Sequence, residues 1–124
     1  MPHQMYNHID GINQVATKCQ LHKNMEAYAA KIASSLTNEG SKSLMPETYI
    51  MELPERVTYK YISTNADFKA FKKAFTPGSW WIIKPGEDAN RGHGIKVFDN
   101  LNKIQNCLTN EFNRGPKVYK TCII

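Results

Sequence analysis

The residues with the greatest capacity for chemistry lie in one stretch, Trp80-Trp81-Ile82-Ile83-Lys84-Pro85-Gly86-Glu87-Asp88-Ala89-Asn90-Arg91-Gly92-His93-Gly94-Ile95. It reads as an apolar strand, a lysine, a polar glycine-bearing turn and a second strand. Glycines at 92 and 94 permit positive φ and let consecutive peptide N–H groups converge on the oxygens of an anion. Lys84 brings a point charge to the same oxygens, and Arg91 brings a guanidinium fork. Together they would neutralise the polyphosphate of a nucleotide. A glycine turn between two strands is also what an ordinary hairpin contains, and residue types alone leave both readings open.

Spacing excludes two familiar phosphate loops. A Walker A loop places its lysine after the glycines, whereas Lys84 precedes Gly92 and Gly94. A dinucleotide fingerprint needs a third glycine and an immediate helix, but Val97 holds the third position and Ile95 to Phe98 is strand-like.

The elements that must position this stretch follow from apolar periodicity. Ile12, Val15, Cys19, Met25, Tyr28, Ile32 and Leu36 recur at helical spacing from Asp10 to Leu36, predicting one long or two broken amphipathic helices with Asp10 as N-cap. Pro46 to Leu53 alternates as an extended connector or short strand closed by Pro54. Thr64 and Asp67 resemble a capping box opening a short helix whose Phe68, Phe71 and Phe75 share a core-facing stripe. Trp80 to Ile83 predicts a buried strand, with at least one tryptophan facing the core, and Ile95 to Phe98 a second strand. Asn100 to Phe112 predicts a helix with Leu101, Ile104, Leu108 and Phe112 inward, and Val118 to Ile124 a further strand.

Composition bounds the rest. The chain has 124 residues, 41% hydrophobic and 22% charged, the balance of one folded domain. A net charge of +5 favours acidic partners, but Lys72-Lys73 is the only adjacent basic pair, so no polybasic arm points to nucleic acid, which is not an expected partner. The three cysteines, Cys19, Cys107 and Cys122, are too few and too widely spaced for a disulfide framework and fit a reducing, cytoplasmic setting. No apolar run reaches the roughly 18 residues of a membrane span, and Met1 to Asp10 does not resemble a signal peptide. The apolar end Cys122-Ile123-Ile124 reads as a cut in mid-domain, since a charged terminus is solvated while these residues belong in a sheet.

The order of strand, Lys-Pro, Asn-Arg-Gly-x-Gly-Ile and strand resembles the signature of tubulin tyrosine ligase-like enzymes of the ATP-grasp superfamily. Asn7-His8, Met45-Pro46-Glu47-Thr48-Tyr49 and Leu53-Pro54 are similar to further family segments and stand in the family order. The resemblance runs from Asn7 to the end and implies a partial α/β ATP-grasp fold. In it 7–76 is an N-terminal lobe, 77–124 is the small central lobe with the phosphate loop, and the C-terminal metal-binding half is absent. It implies ATP as cofactor, contacted by Lys84, with Arg91, Gly92, His93, Gly94 and Ile95 as the covering loop. The implied reaction joins glutamate, glycine or tyrosine to tubulin or a related protein through an acyl phosphate, with tubulin or microtubule acidic tails as partners in the cytoplasm, at the cytoskeleton or in a cilium. The family takes its magnesium ligands from residues beyond Ile124, so Glu87 and Asp88 are expected to be solvated turn residues and the isolated chain inactive.

Three rivals remain. A basic binding module would use Trp80, Trp81 and Tyr59 or Tyr61 to stack bases or grip an acidic tail. Cys19 and His22 have a C-x-x-H spacing, but zinc needs further ligands and no second pair lies nearby, so a helical cysteine and a surface histidine are expected. A pseudo-enzyme retaining nucleotide or tubulin affinity without chemistry is the third.

Overall fold

A computed structural model of the chain describes residues 9–33, 45–86, 92–112 and 121–124. The expectations placed on Asn7-His8, Leu36, Glu87, Asp88, Asn90, Arg91 and residues 113–120 lie outside them.

The first helical region is broken, as α1 (Asn13–Ala16) and α2 (Lys18–Ala33), because Thr17 between them is extended, with φ −94° and ψ 139°. Asp10 is not the cap; Ile12 holds that position and no side chain caps it. The buried face also differs from the periodic one. Cys19 is buried as its place in the period requires, but Ile12, Val15 and Tyr28 are exposed and His22 is buried. A helix turns the face that its neighbours cover, and α2 lies against the sheet through its first turns.

After β1 (Ile50–Glu52) come two short helices in tandem, α3 (Tyr59–Thr64) and α4 (Ala66–Ala74). Thr58 caps α3 by accepting from Tyr61 N–H at 3.1 Å, and Asn65 caps α4 by accepting from Phe68 N–H at 2.9 Å. Thr64, the expected cap, instead ends α3, where its hydroxyl donates to the Lys60 carbonyl at 3.0 Å. Asn65 displaces it because its extended backbone ends one helix and its amide oxygen reaches a free N–H, that of Phe68, in the first turn of the next.

Strand β2 (Trp81–Pro85), β3 (Lys96–Phe98), α5 (Leu101–Asn110) and β4 (Thr121–Ile123) complete the chain. Asn100 caps α5 by accepting from the N–H groups of Asn102 and Lys103. The four strands form one sheet in the order β1-β4-β2-β3, antiparallel throughout. The register pairs Ile82 with Val97, Ile83 with Lys96 and Lys84 with Ile123.

One face of the sheet carries the core. Met51, Ile83 and Pro85 are fully buried there against Ile62, Phe68, Phe71, Ile104 and Leu108. The phenylalanine stripe of α4 faces inward as its spacing requires. Phe71 is its hub, with ring centroids 4.9 Å from Trp81 and 5.6 Å from Tyr49, both edge-on. Helix α5 buries Ile104, Cys107 and Leu108 on the same side, so α3, α4 and α5 line one face and leave the other to α2 and open space.

Candidate functional site

Strand alternation sends the odd residues of β2 into the core and its even residues to the opposite face. Ile82 is 43% exposed and its partner Val97 51%. Trp80, just before the strand, is 70% exposed, whereas Trp81 is partly buried in the core and donates its indole N–H to Ser79 Oγ at 2.9 Å. Lys84 follows Ile82 on the open face and is half-buried. Among the described residues its ammonium has no carboxylate partner, although Lys96 and Lys103 are each paired, with Glu111 at 3.1 Å and Asp99 at 3.7 Å.

The turn before β3 supplies backbone donors. Gly92 and Gly94 have φ of 76° and 75°, a region open to glycine at little cost, and a Cβ placed on Gly92 would meet nothing within 4 Å. The Ile95 N–H is donated to the Gly92 carbonyl at 3.3 Å. The N–H groups of Gly92, His93 and Gly94 make no hydrogen bond among the described residues. Successive amides without partners among the described residues, flanked by two positive-φ glycines, make the kind of turn that binds anions. The Ile95 amide is already bonded within the turn. His93 is exposed, and Arg91 lies outside the described residues.

Lys84 also lines a cavity of about 460 Å³ between the open sheet face and the start of α2. Lys18 and His22 of α2, Glu47 from the segment before β1, and Trp80 and Ile82 line it too. Gly92 to Ile95 do not. The register that pairs Ile83 with Lys96 nevertheless puts Lys84 and Ile95 at the same end of β2 and β3, beside the loop that joins them. The spacing of the sequence marked Lys84 and the glycines. It did not mark Lys18, it named His22 only in a C-x-x-H spacing and Glu47 only within a family-like segment, and a long-range fold brings all three to the same cavity.

Three titratable side chains near these elements are constrained. Tyr49 donates its hydroxyl to Glu47 Oε1 at 2.6 Å, and that bond, with partial burial and the carboxylate's charge, pushes the phenol up to about 12. Burial, with the charge of Glu111, pushes the Cys107 thiol up to about 11 against the opposing effect of Lys96. His22, expected at the surface, is buried; its Nε2 lies 3.3 Å from Glu26 Oε1, and its Nδ1 has no hydrogen-bond partner.

The site fits the anionic part of a nucleotide: a lysine and three amides without partners among the described residues, and an apolar face for a flat ring. Among the described residues no group of three or more His, Cys, Asp or Glu side chains is placed to hold a metal, and Cys19 and His22 are part of none. No helix among the described residues is long and apolar enough to cross a membrane.

A helix-backed antiparallel sheet with a lysine-bearing open face defines an α/β protein. The model of the tubulin-tyrosine ligase family matches residues 1–121, and the chain belongs to that family. The family is one of ligase-type enzymes that use ATP and magnesium. Neither a curated protein nor a solved structure matches the chain.

Proposed function

We propose that this chain carries the phosphate-gripping part of an ATP-dependent ligase of the tubulin tyrosine ligase type, with an ATP-grasp arrangement around the β2–β3 hairpin. Lys84 and the N–H groups of Gly92, His93 and Gly94 hold the phosphates, and Trp80, Ile82 and Val97 form the apolar floor. Arg91, from the motif alone, adds a guanidinium to the same group. ATP, when bound, supplies the phosphoryl group that activates a carboxylate toward an amine, so that an amino acid is joined to an acidic protein tail such as that of tubulin. The residues of this chain bind and orient the polyphosphate and offset its charge, which is the larger part of what phosphoryl transfer asks of a protein.

The observation that carries this reading is the half-buried Lys84 ammonium, without a carboxylate partner among the described residues, on an open apolar sheet face beside a glycine turn with unpaired amides. The family pattern takes its magnesium ligands from residues further along, so these 124 residues alone bind nucleotide and transfer no amino acid.

Tryptophan fluorescence tests both parts, since Trp80 lines the cavity. ATP should quench it in a saturable titration, and Lys84→Ala should weaken the titration by about tenfold or more, the effect of losing a charge-assisted hydrogen bond. Incubation with ATP, magnesium, tubulin and labelled glutamate, glycine or tyrosine should leave the protein acceptor unlabelled. Unchanged affinity in Lys84→Ala would remove the phosphate assignment, and transfer at an enzyme's normal rate would remove the second statement.

A further inference from the structure

We propose that Thr76 is a phosphorylation site for a protein kinase that requires proline after its target, and that Lys72 and Lys73 of α4 receive the phosphate. The proposal does not depend on the nucleotide role of Lys84.

Thr76-Pro77 is the one serine- or threonine-proline dipeptide in the 124 residues. It lies in the loop between α4, which ends at Ala74, and β2, which begins at Trp81, and Thr76, Pro77 and Gly78 are all exposed there. The bonding of the hydroxyls sets Thr76 apart. Every other described serine or threonine side chain is engaged, in a helix cap or in a bond to a backbone carbonyl, whereas the Thr76 hydroxyl makes no hydrogen bond among the described residues. Modifying it breaks no bond of the fold.

The backbone suits a kinase cleft, which takes its target residue in an extended segment. Phe75 leaves α4 extended, with φ −64° and ψ 124°, and a residue ahead of proline is held out of the helical region. The chain bends only after Pro77. Gly78 has φ 87°, and the Ser79 N–H is donated to the Thr76 carbonyl at 3.0 Å, a turn with proline second and glycine third. Pro77 has no N–H, so a kinase pocket that offers no acceptor after the target loses nothing by closing on it.

Charge around the hydroxyl favours the product. Lys72 and Lys73 are exposed in the last turn of α4, and neither has a carboxylate partner among the described residues. A phosphothreonine carries a charge of about −1.5 to −2. The C-terminus of α4 opposes it with about half a unit of negative charge, which the two ammonium groups outweigh. In the transfer, Thr76 Oγ bonds to the γ-phosphorus of the kinase's ATP, the bond from that phosphorus to ADP breaks, and the hydroxyl proton passes to the kinase's catalytic carboxylate. The chain's only adjacent basic pair then faces a phosphate.

The test incubates the 124-residue chain with ATP, magnesium and a proline-directed protein kinase, and locates the phosphate by mass spectrometry of the digested protein, with a kinase-free sample as control. One phosphate is expected, on Thr76, absent from the control and lost in Thr76→Ala and in Pro77→Ala. A ³¹P NMR titration of the product should place the second phosphate ionisation at lower pH in the wild-type chain than in the Lys72→Ala, Lys73→Ala double variant. A chain that takes no phosphate, or takes it on another residue instead, overturns the site. So does phosphate that a synthetic peptide of residues 70–82 accepts and the folded chain refuses. Equal ionisation with and without the two lysines overturns their part in holding it. If a variant at 76 or 77 fails to fold, the position mapped in the wild-type chain still decides.

Discussion

Ile82 and Ile83 are neighbours in the chain with opposite fates: Ile83 has no exposed surface, whereas Ile82 is 43% exposed beside an equally open Val97. The two faces of the sheet divide along that alternation. One is packed against α3, α4 and α5 and holds the molecule together. The other spends apolar residues where they add little to stability, and sets a lysine among them. Residues on the packed face should thus govern folding, and residues on the open face should govern ligand affinity with little effect on folding.

The sharpest way to break that division is at the packed hub. Phe71→Ala should lower the unfolding free energy by about 3–5 kcal/mol, measured by urea titration, because its ring touches Tyr49, Phe68, Phe75 and Trp81. The adjacent isoleucines provide the direct contrast. Ile83→Ala should cost about 2–5 kcal/mol, and Ile82→Ala within about 0.5 kcal/mol of zero while weakening ATP. Equal costs for the pair would mean that the open face is covered. A smaller effect belongs to the junction of α3 and α4, where Asn65→Ala should cost about 1 kcal/mol and Thr64→Ala less, since Asn65 holds the cap.

The mildest effect is alkaline. The Cys107 thiol rises from 9.0 to about 11 on folding, so the folded state keeps a proton that the unfolded state releases. Its contribution to stability is whole below pH 9.0 and is lost as pH rises toward about 11. Urea titrations across that window should show this decline in the wild-type chain and a shallower one in Cys107→Ala.

What the sequence revealed, and what it hid, divides by range. The phenylalanines of α4, the inward face of α5 and the hairpin strands were legible because each is a local period read within a few residues. The six-residue α3 was not, since it is shorter than two turns and is bounded by Thr58 and Asn65, caps that resemble turn residues. The burial of His22 and the exposure of Ile12, Val15 and Tyr28 were hidden because the face α2 covers is chosen by β4, a hundred residues away. The pairing of β1 with β4 is of the same kind. The site shows the same split, with Lys84, Gly92 and Gly94 readable from spacing and the meeting of Lys18, His22 and Glu47 visible only once the cavity closes around them.

Backbone amide NMR of the 124-residue chain with ATP addresses the central claim without any substitution. The account predicts that the Gly92, His93 and Gly94 amide signals shift most on saturation, with Lys84 next and the packed-face residues Ile62, Phe71 and Leu108 unmoved. Shifts confined to other elements, with the glycine-turn amides unchanged, would contradict it.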